Sequence, residues 1–399
     1  MWGSSEGDSE VGWREMKSNS KTVYFVSVIR SMDSNANSTH IMTTSLIDGI
    51  KKNGHKLFFL AICEFTEEMQ KIKEEYEGIA DIVIPLHSGF GPNLGKYKQL
   101  ELILYHSISV QFYRKEIKKV IETVDSKPDL IITHSPSFES VCYGRVLKEM
   151  FPNSPWYQYW SDPIALSGIT PEHLNFKRLP FKWAEHRAFT YADQIIFGTK
   201  TLMQFQRDLY LDLAEKMRYI DIPYVEKTGG LGELSMKNSL LYAGNYHSNL
   251  RNLCPLVDAV AQMPDYTLDI YGNGDCPNPG LSNICFHGRV SPEKLKEIEN
   301  RVACTVCVLN HSCIQIPGKI FYDTIKPTKI LVIVDGPYRE RISEYLKSFN
   351  RFVFCNNNVD DIKRAIQEID CFQTDLERVR ACFSPEKIAD DLLSGGIKG

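Results

Sequence analysis

No run of the sequence reaches the roughly 18 consecutive apolar residues that a membrane-spanning helix requires. An excess of one charge is missing as well. The 46 Lys and Arg face 50 Asp and Glu for a net charge of −4, so no global electrostatic pull toward nucleic acid exists. The 11 cysteines are odd in number and lack a compact spacing framework, which fits reduced thiols in a cytosol rather than a disulfide scaffold. Cys304 and Cys307 form a CxxC, but they stand inside the apolar run Val302 to Leu309. In a strand, positions three apart point to opposite faces, so the pair reads as core packing, and no second CxxC or His pair completes a metal site. The first twenty residues are polar and acidic without the apolar centre of a signal peptide, and residues 1–20 are expected to be a disordered lead-in. A Gly-x-Gly-x-x-Gly dinucleotide fingerprint is also missing from the first loop, Asp33-Ser34-Asn35-Ala36-Asn37-Ser38, which argues against a nicotinamide dehydrogenase.

What is present is a normal globular composition, 43% hydrophobic and 24% charged over 399 residues, enough for two domains with proper cores. Short apolar runs alternate with amphipathic helical stretches, the signature of doubly wound α/β folding. In the first half the runs are Thr22–Ile29, Lys56–Cys63, Asp81–Ile84, Asp129–Thr133, Trp156–Tyr159 and Gln194–Phe197. Helical patterns fall on Thr39–Lys52, within Lys98–Val124, and on Phe138–Met150. A second series follows at Ser239–Ala243, Thr267–Tyr271, Ile284–Phe286, Val302–Leu309, Ile330–Val334 and Arg351–Phe354. The glycine-rich stretch Glu226 to Gly232 separates the two series and reads as a hinge. Ser384-Pro385-Glu386 has the cap chemistry of a final helix. The expected architecture is therefore two tandem Rossmann-like domains, 21–228 and 229–383, followed by a C-terminal helix at 384–399. Ligands in such sheets bind at the C-terminal ends of the strands.

Three pieces of the second half converge on phosphate binding. Tyr242-Ala243-Gly244-Asn245 is a strand running into a glycine turn, with Arg251 expected at the start of the next helix. Glycine there lets backbone N–H groups approach a ligand, and an arginine grips phosphate oxygens in bidentate fashion. Tyr271-Gly272-Asn273-Gly274 is a second glycine loop after a strand. Gln315-Ile316-Pro317-Gly318-Lys319, leading to Tyr322-Asp323, puts a lysine beside a helix start, where point charge and dipole both favour an anion.

In order and spacing, these pieces resemble the donor domain of family-four-like GT-B glycosyltransferases. The resemblance covers nearly the whole chain in layout, but specific motifs only in the second half. It implies that Arg251 and Lys319 face the diphosphate of a nucleotide-sugar donor, with the loops at Gly244 and Gly272 beside the nucleotide. Family members often carry two glutamates in the donor-sugar segment; here that spacing holds Gln315 and Asp323, or Tyr322 if the loop shifts by one. The donor is a substrate, so no cofactor is expected.

The first half is expected to hold the acceptor. Trp160-Ser161-Asp162-Pro163 follows a strand, and Asp162 could orient the acceptor hydroxyl, take its proton, or merely cap a turn. In the resembled enzymes a histidine often stands near this place. His134 ends another strand, as a second catalytic candidate or a structural histidine. The basic, aromatic stretch Phe176 to Trp183 suits either a solvated loop and helix start or a peripheral contact at the inner face of an anionic membrane.

The expected activity is sugar transfer from a nucleotide diphosphate to a glycan or lipid-linked acceptor hydroxyl in polysaccharide assembly, in the cytoplasm, with retention of configuration implied by the resemblance. Its rivals are a GT-B sugar-nucleotide epimerase and a catalytically silent GT-B nucleotide-binding subunit. A two-lobed solute-binding protein would need an export signal.

Overall fold

The computed structural model describes residues 20–29, 38–63, 65–88, 110–121, 124–135, 138–163, 175–225, 236–311 and 314–395. The lead-in before Ser20, the loop at 30–37 and the glycine-rich hinge lie outside the described residues.

The first sheet contains β1 (Thr22–Ile29), β2 (Lys56–Cys63), β3 (Ile82–His87), β4 (Leu130–Ser135), β5 (Trp156–Trp160), β6 (Gln194–Phe197) and β7 (Met217–Tyr219). Its seven strands are parallel in the order β3-β2-β1-β4-β5-β6-β7. The second contains β8 (Met236–Ala243), β9 (Thr267–Tyr271), β10 (Ile284–Gly288), β11 (Val302–Val308), β12 (Lys329–Val334) and β13 (Val353–Asn356). It repeats the same winding as β10-β9-β8-β11-β12-β13, again all parallel. Two doubly wound sheets in tandem constitute the α/β architecture expected.

Side chains alternate across these strands, as the pleat requires. Val23 and Phe25 of β1 join one apolar cluster, while Tyr24 and Val26 join another on the opposite face. Burial on both faces explains why the strands read as continuous apolar runs rather than alternating ones. The first cluster does not stop at the N-terminal lobe. It continues through Ile316, Phe321 and Tyr322 to Ile330 and Val332 of β12 and to Phe383 and Ile388 near the C-terminus. The third cluster fills the far face of the second sheet. Cys304 belongs to that third cluster and Cys307 packs against the first, so the CxxC is split between the two faces of β11.

The last helix, Pro385–Leu393, begins at Ser384, whose side chain accepts from the Lys387 amide. It returns to pack against the helix Ser38–Lys52 of the first lobe. Its terminal carbonyls are taken up by that lobe. Arg218 of β7 donates to Asp391 O at 2.9 Å and Leu392 O at 3.0 Å, and Lys21 Nζ to Leu393 O at 2.8 Å. Cations at a helix C-terminus complement both the unpaired carbonyls and the dipole. The contact is close: a Cβ on Gly49 would overlap Pro385 O and stand 3.2 Å from the Ala389 Cβ. Gly49→Ala is therefore expected to overpack this helix pair and cost about 1–3 kcal/mol in urea unfolding. An unchanged midpoint would mean the terminal helix adds nothing to stability there.

Candidate functional site

In the second sheet the strand order reverses between β8 and β11, and the loops leaving their C-terminal ends flank the resulting crevice. The β8 and β9 loops interlock. Gly272 has φ +140°, and a Cβ on it would overlap Gly244 O and lie 2.7 Å from Gly244 C, so only glycine fits. The Gly244 amide donates to Tyr271 O at 2.9 Å, and the Gly272 amide to Gly288 O at 2.8 Å. This corrects the sequence expectation: these two amides close the sheet end and are not available to a ligand. Beyond them, Tyr246 N donates to Asn273 O at 3.1 Å and Asp275 N to Tyr246 O at 3.2 Å. The amides of Asn245, Asn273 and Gly274 have no acceptor among the described residues.

Arg251 does not start a helix. The helix is Cys254–Ala261, and Arg251 lies ahead of it, its amide closing a turn on His247 O at 2.6 Å. Two bonds attach this turn to the end of β11: Arg251 Nε donates to Asn310 Oδ1 at 2.6 Å, and His311 N to Leu250 O at 2.7 Å. The guanidinium thereby stands beside the Gly244 turn, 3.8 Å from where a Cβ on that glycine would be.

Lys319 opens a helix of one turn, Lys319–Tyr322, too short for a substantial dipole. Its setting is instead a buried charge cluster. Lys319 Nζ is 2.7 Å from Glu299 Oε1, Lys326 Nζ is 2.6 Å from Glu299 Oε2, and Lys326 Nζ is 2.7 Å from Asp323 Oδ1. Arg351 adds a further buried cation, donating to the carbonyls of Thr324, Lys326 and Thr328 at 2.6–2.8 Å. Three cations against two carboxylates leave one excess positive charge. Lys319 is its most accessible carrier, with a side chain 38% exposed against 3% for Lys326. Arg251 and Lys319 both oppose the burial that raises the thiol of Cys307 on β11 to about 11.

Asp323 and Tyr322 take inward roles, contrary to the expectation that they hold the donor. Asp323 is 5% exposed and paired with Lys326, because a buried lysine requires a counter-charge. The Tyr322 hydroxyl donates to Ser38 O at 2.9 Å and accepts from Ser38 Oγ at 2.7 Å, tying the two lobes. A Cβ on Gly318 would press on that pair, 2.7 Å from the Tyr322 hydroxyl and 2.8 Å from Ser38 Oγ.

Asp162 follows β5 and meets the second lobe directly. Gln315 Nε2 donates to Asp162 Oδ1, and Ser161 Oγ donates to Oδ2 at 3.2 Å. Burial raises its pKa, with the Gln315 and Ser161 bonds opposing. His134 is placed otherwise. It is 1% exposed, its Nδ1 is 2.7 Å from Thr43 Oγ1, and burial lowers its pKa to about 3. An enclosed ring bonded to Thr43 fits the structural reading rather than the catalytic one. Glu299, Lys326, Asn310 and Arg351 were not identified from the sequence. The basic stretch lies on the helix Asn175–Thr190, where Leu179 and Trp183 are exposed and the Arg187 guanidinium lies 5.2 Å from the Trp183 ring centroid.

Two Rossmann-like lobes in tandem, each a doubly wound parallel sheet, define the GT-B class of fold. The solved structures sharing it include a sucrose-phosphate synthase from Thermosynechococcus elongatus, at 15% identity and TM-score 0.58 over 93% of this chain and 97% of that one. A lipopolysaccharide outer core galactosyltransferase, WaaB, matches at 11% identity and TM-score 0.54 over 94% and 98%. A putative UDP-N-acetylglucosamine 2-epimerase from Listeria monocytogenes matches at 10% and 0.51 over 94% and 96%. No family model matches the sequence, and neither does any curated protein. The likeness is one of fold.

Burial alone would raise the Glu299 carboxyl, but Lys319 and then Lys326 outweigh it and hold it at about 2, below the ordinary 4.5. The folded value is the lower, so its stabilisation is full above about pH 4.5 and lost as pH falls through about 2. Glu299→Gln is expected to flatten this acid limb and to cost about 3–5 kcal/mol at neutral pH, since it leaves buried cations unpaired. Denaturant melts between pH 2 and 7 measure both; an acid limb identical to the parent's would dismiss the cluster's role.

Proposed function

We propose that the protein is a glycosyltransferase that moves a sugar from a nucleotide-diphosphate donor to an acceptor hydroxyl of a glycan or lipid-linked glycan. The observations carrying this reading are the Arg251 guanidinium beside the Gly244 turn and the accessible Lys319 of a charge cluster that holds one excess cation. A diphosphate leaving group develops negative charge as its bond to the sugar breaks, and preorganised cations stabilise that charge most where water is excluded. The amides of Asn245, Asn273 and Gly274 add donors of the right kind at the same strand ends.

Asp162 is the acid on the facing lobe. In the proposed reaction the acceptor O–H gives its proton to the Asp162 carboxylate, the acceptor oxygen bonds to the anomeric carbon, and the bond from that carbon to the diphosphate oxygen breaks. Burial that raises the Asp162 pKa makes it a stronger base than a solvated carboxylate. The retaining outcome rests on the motif resemblance. The cytoplasm is the compartment proposed, consistent with ten free cysteines among the described residues. A sugar-nucleotide epimerase is the second reading, favoured by the epimerase that shares the fold.

Calorimetric titration of nucleoside diphosphates and monophosphates tests the site. Lys319→Ala and Arg251→Ala should each weaken diphosphate binding about ten- to a hundredfold, the equivalent of a charged hydrogen bond of roughly 1.5–3 kcal/mol, and monophosphate binding less. Asp162→Asn should keep donor binding and lose transfer. Equal diphosphate affinities in the parent, Lys319→Ala and Arg251→Ala would refute the donor site, and donor turnover without any acceptor would favour the epimerase. A peripheral membrane contact through exposed Leu179 and Trp183 belongs to the same proposal, because it would bring the enzyme to a lipid-linked acceptor. Co-sedimentation with anionic vesicles should fall as salt rises; equal recovery with neutral vesicles would dismiss it.

A further inference from the structure

At the free edge of the second sheet, β9 and β10 run parallel with Cys285 opposite Asp269. Strand alternation puts Asp269 and Tyr271 on one face of β9, and Cys285 and His287 on the same face of β10. Burial follows that alternation: Leu268, Ile270 and Ile284 are enclosed, while Cys285 and His287 are exposed. Side-chain ligand atoms of Asp269, Cys285 and His287 all lie within 4.8 Å of one another. His287 Nε2 is already 2.5 Å from Asp269 Oδ1, and the Tyr271 ring stacks on the imidazole at 4.4 Å and 10°, fixing its plane.

We propose that Asp269, Cys285 and His287 form a zinc-binding site distinct from the donor crevice. Zinc takes sulfur, nitrogen and oxygen ligands at about 2.0–2.3 Å in a tetrahedron, which sets ligand atoms about 3.3–3.7 Å apart. Reaching that spacing takes an opening of roughly 1 Å between Asp269 and His287. One thiolate, one imidazole and one carboxylate suit zinc, whereas calcium and magnesium take oxygen ligands. Exposure leaves the fourth position to water. On binding, the Cys285 thiol releases its proton to solvent, and the thiolate and carboxylate together balance the dication. The site joins the outermost strand to its neighbour immediately before Gly288, whose carbonyl holds the Gly272 amide at 2.8 Å. Zinc therefore stiffens the edge on which the β9 loop rests.

Chelator-treated full-length protein is titrated with Zn²⁺ by calorimetry and with Co²⁺ by absorption. One equivalent of Co²⁺ should produce a thiolate charge-transfer band, and Zn²⁺ should displace it and raise the melting temperature. Cys285→Ser should abolish the band, and His287→Ala should weaken Zn²⁺ binding at least tenfold, with circular dichroism checking that both fold. Absence of the band would overturn the proposal. So would a band that persists in Cys285→Ser, since it would put the metal on other cysteines, and so would unchanged affinity in His287→Ala.

Discussion

A carboxylate cannot be taken out of water without a cation to receive it, and the region around the crevice is organised by that requirement at Glu299. The helix Pro292–Glu299 ends with this side chain 6% exposed, at the end where a negative charge is least welcome. Lys319 and Lys326 compensate by meeting one oxygen each, and Asp323 balances Lys326 in turn. Arg351 then holds the connecting segment by three carbonyls. The result is a cross-linked segment ahead of β12 with a positive remainder at its accessible end. The cation at the crevice is thus a consequence of how the charges are buried, and its position depends on residues remote from any ligand.

The same segment connects the lobes. Immediately before the one-turn helix, Gln315 reaches Asp162; within it, Tyr322 reaches Ser38. Tyr345 bonds Asp221 from the following helix, Arg339–Lys347, and the terminal helix crosses back onto the first sheet. The acid on one side and the lysine on the other are therefore mechanically linked. Opening the lobes would hydrate Asp162 and remove the bond from Gln315 together.

Legibility in the sequence followed the physics of burial. Gln194–Phe197 coincides with β6 because an enclosed strand leaves an unbroken apolar run, and Thr267–Tyr271 with β9 because its enclosed Leu268 and Ile270 alternate with more open positions. β7 escaped notice: Met217–Tyr219 is only three residues long with an arginine at its centre, and that arginine is consumed by the carbonyls of the terminal helix. Arg251 and Lys319 were visible as cations near glycine turns, whereas the partners that orient them, Asn310 after β11 and Glu299 at the end of the helix Pro292–Glu299, have no motif to mark them.

Local patterning by itself determined most of the strands and the doubly wound α/β winding, because these depend on periodicity and turn chemistry within short windows. Tertiary structure decided which polar groups turn inward. Asp323, Tyr322 and His134 have the chemistry of ligand contacts, yet Tyr322 and His134 are engaged by residues distant in sequence, and Asp323 turns onto Lys326, which the remote Glu299 shares. Asp269 and the Cys285–His287 pair become neighbours only through the register of two parallel strands. A buried charge or an unpaired donor is satisfied by whatever the fold brings within about 3 Å, and sequence spacing does not encode that proximity.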